Sequence, residues 1–108
     1  MKRGELVTVS APGAYGKARP ALVLQSDFLS ENDSVLVGLL TSTLSDAPNY
    51  RLTILPTENN GLRATSQLMV DKIVAMPRNK CGAVIGRLDA DAITKMNRLL
   101  SVMLGLAD

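Results

Sequence analysis

The sequence predicts a mostly β fold with one α-helix, a small bent sheet or partly open barrel closed on one side by the C-terminal helix. Short apolar, β-branched segments recur between turns rich in Gly and Pro. Only the C-terminal stretch carries apolar residues at helical spacing. A chain of 108 residues is the size of one domain, which we expect to span 1–108.

Glu5-Leu6-Val7-Thr8-Val9-Ser10 alternates with a period near two and predicts the first strand. Ala11 to Gly16, punctuated by Pro12 and Gly13, is a loop. Pro20 to Ser26 is the second strand, and its run Ala21-Leu22-Val23-Leu24 suggests burial on both faces or a strand bent into a barrel. Asp27 to Asp33 is a short connection with room for one helical turn capped by Ser26 or Asp27. Ser34 to Thr43 is the third strand, with a bulge or bend expected at Gly38. After the loop Leu44 to Asn49, Tyr50 to Leu55 is a cleanly alternating fourth strand. In the turn Pro56 to Gly61, Asn59-Asn60-Gly61 suits left-handed backbone positions. Two strands follow, Ser66 to Ala75 with a break and Gly82 to Leu88. Asp89 caps the helix, with Leu88 and Ile93 as a hydrophobic staple. Ala92, Ile93, Met96, Leu99, Leu100, Met103 and Leu104 form its apolar stripe, and Gly105 ends it.

Composition excludes several chemistries. There is no His and a single Cys, so Ser-His and Cys-His catalysis are out, and no zinc site or other cofactor is expected. Cys81 reads as a small apolar side chain near a strand start. A lone Cys and no apolar leader after Met1-Lys2-Arg3 suggest a reducing, cytoplasmic setting without a membrane span. The formal net charge of +2 restricts any nucleic-acid contact to a local patch. Tyr15, Phe28 and Tyr50 are too few for an aromatic single-strand platform or an aromatic-lined peptide groove, which argues against a non-catalytic SH3-like binding module.

The local patch is Gly16-Lys17-Ala18-Arg19-Pro20. Arg19 precedes Pro20, whose ring disfavours a helical residue before it, so the backbone is extended and aims the guanidinium. That group is always charged and matches phosphate oxygens with a planar fork. Arg19 is thus a candidate for a nucleic-acid or phosphoester ligand, against the plainer reading of an Arg at the solvent edge of a strand.

These residues lead to a family. Arg3-Gly4-Glu5-Leu6, Gly16-x-x-Arg19-Pro20-Ala21-Leu22-Val23-Leu24, Leu40-Thr41-Ser42, Val70-Asp71-Lys72-Ile73, Ile85-Gly86-Arg87-Leu88 and the terminal helix resemble, in order and spacing, the MazF/PemK family of toxin–antitoxin toxins. The resemblance implies an SH3-like barrel, a homodimer and a metal-independent endoribonuclease. Such enzymes cut single-stranded RNA at a short motif by 2′-hydroxyl attack, giving a 2′,3′-cyclic phosphate and a 5′-hydroxyl. It also implies a cognate antitoxin with a flexible acidic tail lying in the RNA groove. Carried over, Arg19 matches the catalytic Arg, Thr41 the catalytic Thr or Ser, with Ser42 beside it, and Asp71 a substrate-handling position.

Around these, Gly16 and Lys17 belong to the substrate-binding segment. Lys17 either attracts RNA or is a solvated loop charge. Tyr15 either stacks on a base or packs on the rim. Asp71 is a substrate contact, a turn acceptor or an ion partner of Arg63 or Lys72. Two departures bear on mechanism. The first loop, Ala11 to Ala18, is short and lacks a carboxylate, so no general base is carried over. Met69 stands where some members place an Arg two residues before the Asp. The alternative reading, a CcdB-like gyrase poison without nuclease activity, relies on apolar and aromatic residues ending the terminal helix. Here Leu104-Gly105-Leu106-Ala107-Asp108 contains no Trp.

Overall fold

A computed structural model of the chain describes residues 1–10, 17–29 and 32–108. The elements are β1 (Glu5–Val9), β2 (Arg19–Val23), β3 (Ser34–Thr41), β4 (Arg51–Ile54), β5 (Ser66–Pro77), β6 (Cys81–Arg87) and α1 (Ala90–Met103). A single turn of tighter helix at Asp27–Leu29 follows β2, with Ser26 Oγ accepting from the Phe28 N–H at 3.2 Å. The strands form one six-stranded antiparallel sheet in the order β4-β5-β3-β2-β1-β6.

The expected bent sheet is present, and it is open: β4 and β6 are its two edges. The turn after β4 bridges the gap between them. The Arg87 N–H donates to the Asn59 carbonyl at 2.8 Å. Asn60 holds the turn's shape, accepting from the Thr57 and Leu62 N–H groups through Oδ1 and donating to the Leu55 carbonyl through Nδ2. Gly61 has φ +69°, and a Cβ there would collide with the Ile85 carbonyl of β6, so only Gly permits this approach.

Alternation along the strands builds two apolar clusters. Leu6, Leu22, Leu40, Leu68 and Val70 face one cluster. Val7, Val9, Ala21, Val23, Val35 and Val37 face the other. β1 and β2 are therefore buried on both faces, as the run at Ala21–Leu24 suggests. β5 serves both clusters by changing phase. As β3 advances from Leu40 to Gly38, β5 advances from Leu68 to Ile73. Leu68 and Val70 point to the first cluster before this bulge, and Val74 and Met76 to the second after it. The bend falls at Gly38, where a Cβ would press on Leu68 and Leu24. β5 outlasts the expected end at Ala75, because Ser34 and Val35 supply partners for Pro77 and Met76.

Asp89 caps α1, its carboxylate accepting from the Ala92 N–H at 2.8 Å. Met96 and Leu100 are buried in the first cluster, with Ala92, Ile93 and Leu99 packed beside them. Fully burying a side chain such as Met96 stabilises the fold by about 1.5–3 kcal/mol. The apolar stripe reaches further than the core does: Leu104 stays 59% exposed and Met103 37% exposed, past Leu100, the last helix residue buried in the cluster.

Candidate active site

Arg19 opens β2, cross-strand from Val9. Pro20 pairs with Thr8 of β1, while pairing with β3 begins only at Ala21. A residue without an N–H is tolerated at such a strand start. The Arg19 side chain is exposed and has no hydrogen-bond or ion-pair partner among the described residues, so its donors are free for a ligand. Thr41 ends β3, and Ser42 follows it at the surface.

These segments converge. Arg19, Thr41 and Ser42 line one cleft of about 490 Å3 with Thr8, Arg63 and Ser66. The topology brings them together: β2 and β3 are neighbours, and the chain from the bridging turn into β5 adds Gly61–Ala64 to the lining. Thr41 Oγ1 accepts from the Thr43 N–H at 3.1 Å. With that lone pair engaged, the hydroxyl proton is free to be given to a ligand. Ser66 Oγ donates to the Ala64 carbonyl at 3.0 Å, which commits its proton within the protein.

Arg63 was weighed from sequence only as a partner of Asp71. It is instead a second cation on the cleft, exposed and outside any ion pair among the described residues. The sequence signal is a lone Arg between a turn and a strand, uninformative until the fold brings it to the cleft that Arg19 also lines. Two guanidinium groups on one cleft repel each other in the absence of an anion, and a phosphate relieves that repulsion.

Asp71 does not line this cleft. It is exposed in the bulge of β5 and makes neither of the considered ion pairs, with Arg63 or with Lys72. Lys17 is exposed beside Ala18, which lines the cleft. Tyr15 and Gly16 lie outside the described residues. Cys81 opens β6, half-buried and packed on the second cluster, and burial pushes its thiol above the ordinary value. Among the described residues no helix is long and apolar enough to cross a membrane.

Fold and site define a small open-sheet β protein whose cleft carries two unpaired arginines and an oriented hydroxyl. The chain belongs to the PemK/MazF toxin family: residues 2–104 match the family described as PemK-like, MazF-like toxin of type II toxin-antitoxin system. It is 41% identical over 108 residues to a Mycolicibacterium smegmatis protein named "Probable endoribonuclease MazF", covering 99% of each chain. Among solved structures, it resembles a mycobacterial endoribonuclease in complex with its cognate antitoxin, with a TM-score of 0.83, 22% identity and coverage of 98% of this chain and 96% of that one. It also resembles the Mycobacterium tuberculosis toxin MazF-mt6, with a TM-score of 0.80, 20% identity and coverage of 94% and 96%. A MazE-MazF crystal structure from Deinococcus radiodurans has a TM-score of 0.75 at 22% identity, with coverage of 97% and 95%. At these identities the structures speak to the fold. The family match does not favour the gyrase-poison alternative.

Proposed function

We propose that this chain is an endoribonuclease toxin that cleaves single-stranded RNA at a short sequence motif, without a metal ion. It acts as a cytoplasmic homodimer restrained by a cognate antitoxin with an acidic flexible tail. The observation that carries the reading is the shared cleft, which Arg19, Arg63 and Thr41 all line. The M. smegmatis relative's name supports the activity.

RNA brings its own nucleophile. The 2′-oxygen attacks phosphorus, a bond to the 2′-oxygen forms, and the bond to the 5′-oxygen breaks after in-line displacement. The 2′-hydroxyl loses a proton and the departing 5′-oxygen gains one. The protein must hold the phosphodiester in line and stabilise the charge that develops on it. Arg19 meets the non-bridging oxygens with paired N–H donors. The Thr41 hydroxyl donates to one of them, and Arg63 adds positive potential within the same cleft. The described lining holds Arg, Thr and Ser but no carboxylate, so its contribution is charge stabilisation rather than proton abstraction. A chain with no His and one Cys, and without a cluster of three or more His, Cys, Asp or Glu among the described residues, offers poor ligation for a metal.

The test is incubation of the purified protein with a defined single-stranded oligoribonucleotide in EDTA, with products resolved by mass spectrometry. The expected products carry a 2′,3′-cyclic phosphate and a 5′-hydroxyl. Cleavage that stops in EDTA and returns with magnesium, or an intact oligomer together with trapped gyrase, overturns the proposal.

A further inference from the structure

The cleft hydroxyl is set by a buried polar cluster behind it. Gln67 is the cross-strand register partner of Thr41 on β3 and of Thr53 on β4. Its side chain is 6% exposed, so all its polar atoms must find partners within the protein. They do. Oε1 accepts from the Ser45 N–H at 3.0 Å and from Arg51 Nη1 at 3.1 Å. Nε2 donates to the Ser45 carbonyl at 2.9 Å and to Thr53 Oγ1 at 3.2 Å. Reversing the amide would break the three contacts to the Ser45 N–H, the Ser45 carbonyl and Arg51, since only the Thr53 hydroxyl can serve either way, so the surroundings dictate its orientation.

Arg51 extends the cluster toward the cleft. Its Nη1 also donates to the Thr43 carbonyl at 3.0 Å. Thr43 is the residue whose N–H holds Thr41 Oγ1 at 3.1 Å. The carbonyl that Arg51 holds and the N–H that holds the site hydroxyl lie on the two peptide units that meet at the Thr43 Cα. The Arg51 Nε is buried without a partner, an unfavourable placement that the Nη1 contacts must outweigh. Neither Gln67 nor Arg51 lines the cleft.

We infer that Gln67 and Arg51 are positioning residues that fix the backbone at Thr43, and through the Thr43 N–H the direction in which Thr41 presents its hydroxyl proton to the scissile phosphate. The inference rests on the proposed role of Thr41. Because the clamp sets the aim of a donor rather than the affinity of the cleft, its loss slows the chemical step and leaves substrate binding in place. Misplacement of a group by about 1 Å costs up to about 100-fold in rate.

The experiment compares Arg51→Met, Gln67→Leu and Thr41→Val, singly and with each clamp change combined with Thr41→Val, in single-turnover and steady-state cleavage of a defined oligoribonucleotide. Circular dichroism monitors folding. The expected result is a kcat at least about tenfold lower for each clamp variant, with KM within about threefold of wild type. The losses are also non-additive: Arg51→Met in the Thr41→Val background is no slower than Thr41→Val alone. Arg51→Lys, which keeps one donor for the Thr43 carbonyl, recovers part of the rate. Should Gln67→Leu fail to fold, Arg51→Met at a half-buried position carries the test. Clamp variants as fast as wild type, or losses that multiply with Thr41→Val, overturn the clamp while the site reading stands. A Thr41→Val variant with wild-type rate overturns the role of Thr41 and the clamp together.

Discussion

Arg19→Ala separates function from folding. The Arg19 side chain is exposed, with no hydrogen-bond or ion-pair partner among the described residues, so truncation leaves no buried group unsatisfied. Its stability cost falls within about 0.5 kcal/mol, the range of an ordinary surface change. Its functional cost is set by the cleft. A unit charge about 4 Å from a developing phosphorane charge contributes about 1 kcal/mol in bulk water and about 4 kcal/mol near a protein surface. Removing one preorganised donor from such a site costs about 3–4 kcal/mol. Arg63 remains on the cleft and retains part of the field, which places the loss near the lower end. About 3 kcal/mol is a rate roughly 100-fold lower. Arg19→Lys restores the charge but not the planar fork and recovers only part of it. The assay is single-turnover cleavage of a defined oligoribonucleotide, with thermal unfolding as the folding control. A folded Arg19→Ala variant cutting within about twofold of wild type refutes the assignment and leaves the Arg-Pro step a strand-edge feature.

Arg63→Ala should lower kcat/KM about tenfold and flatten its salt dependence, since it removes one phosphate-facing cation; an unchanged salt slope places Arg63 off the RNA path. Asn60→Ala should destabilise the fold by about 2–3 kcal/mol in urea unfolding, because the Leu62 N–H and the Leu55 carbonyl lose their partner. Burial holds the Cys81 thiol protonated to higher pH, so its alkylation by iodoacetamide at pH 8 should be slower in the folded protein than in urea; equal rates count against that shift. The exposed Val102, Leu104 and Leu106 beyond the packed part of the helix, together with Leu36 on β3, leave apolar surface for a two-fold contact. Sedimentation at micromolar concentration should therefore report a dimer, and a monomer rejects the homodimer.

Local chemistry made part of the site legible. Arg19 could be singled out because it stands beside its own marker, a Pro, whereas Thr41 is an ordinary strand-end residue that only the family resemblance picks out. The capped helix and the bend at Gly38 were legible for the same reason as Arg19. Arg63, Arg51 and Gln67 were not, since their roles depend on which strands are neighbours. Gln67 reads as one polar residue in an apolar run until β3 and β4 are known to flank β5. The phase change in β5 was visible only as a break, because its cause is the pairing with β3 on both sides of the bulge. Asp71 sits in that bulge, and its motif alone does not show that the cleft lies elsewhere. The exposed end of the helix is likewise invisible to periodicity, which counts apolar positions but not the length of the sheet beneath them.

The turn from Pro56 to Gly61, tethered to β6 through Asn59 and Arg87, divides responsibilities within the cleft. Arg19 and Thr41 stand on paired strands, whose backbones are fixed by the sheet. Gly61 to Ala64 is a connecting segment anchored at one turn. Its exposed residues, Arg63 and Ala64, can be exchanged while the tether, its glycine and the buried Leu62 remain. Under the proposed function, a chain built this way can be retuned to a different nucleotide sequence by altering that short segment, with Arg19 and Thr41 left untouched on their strands.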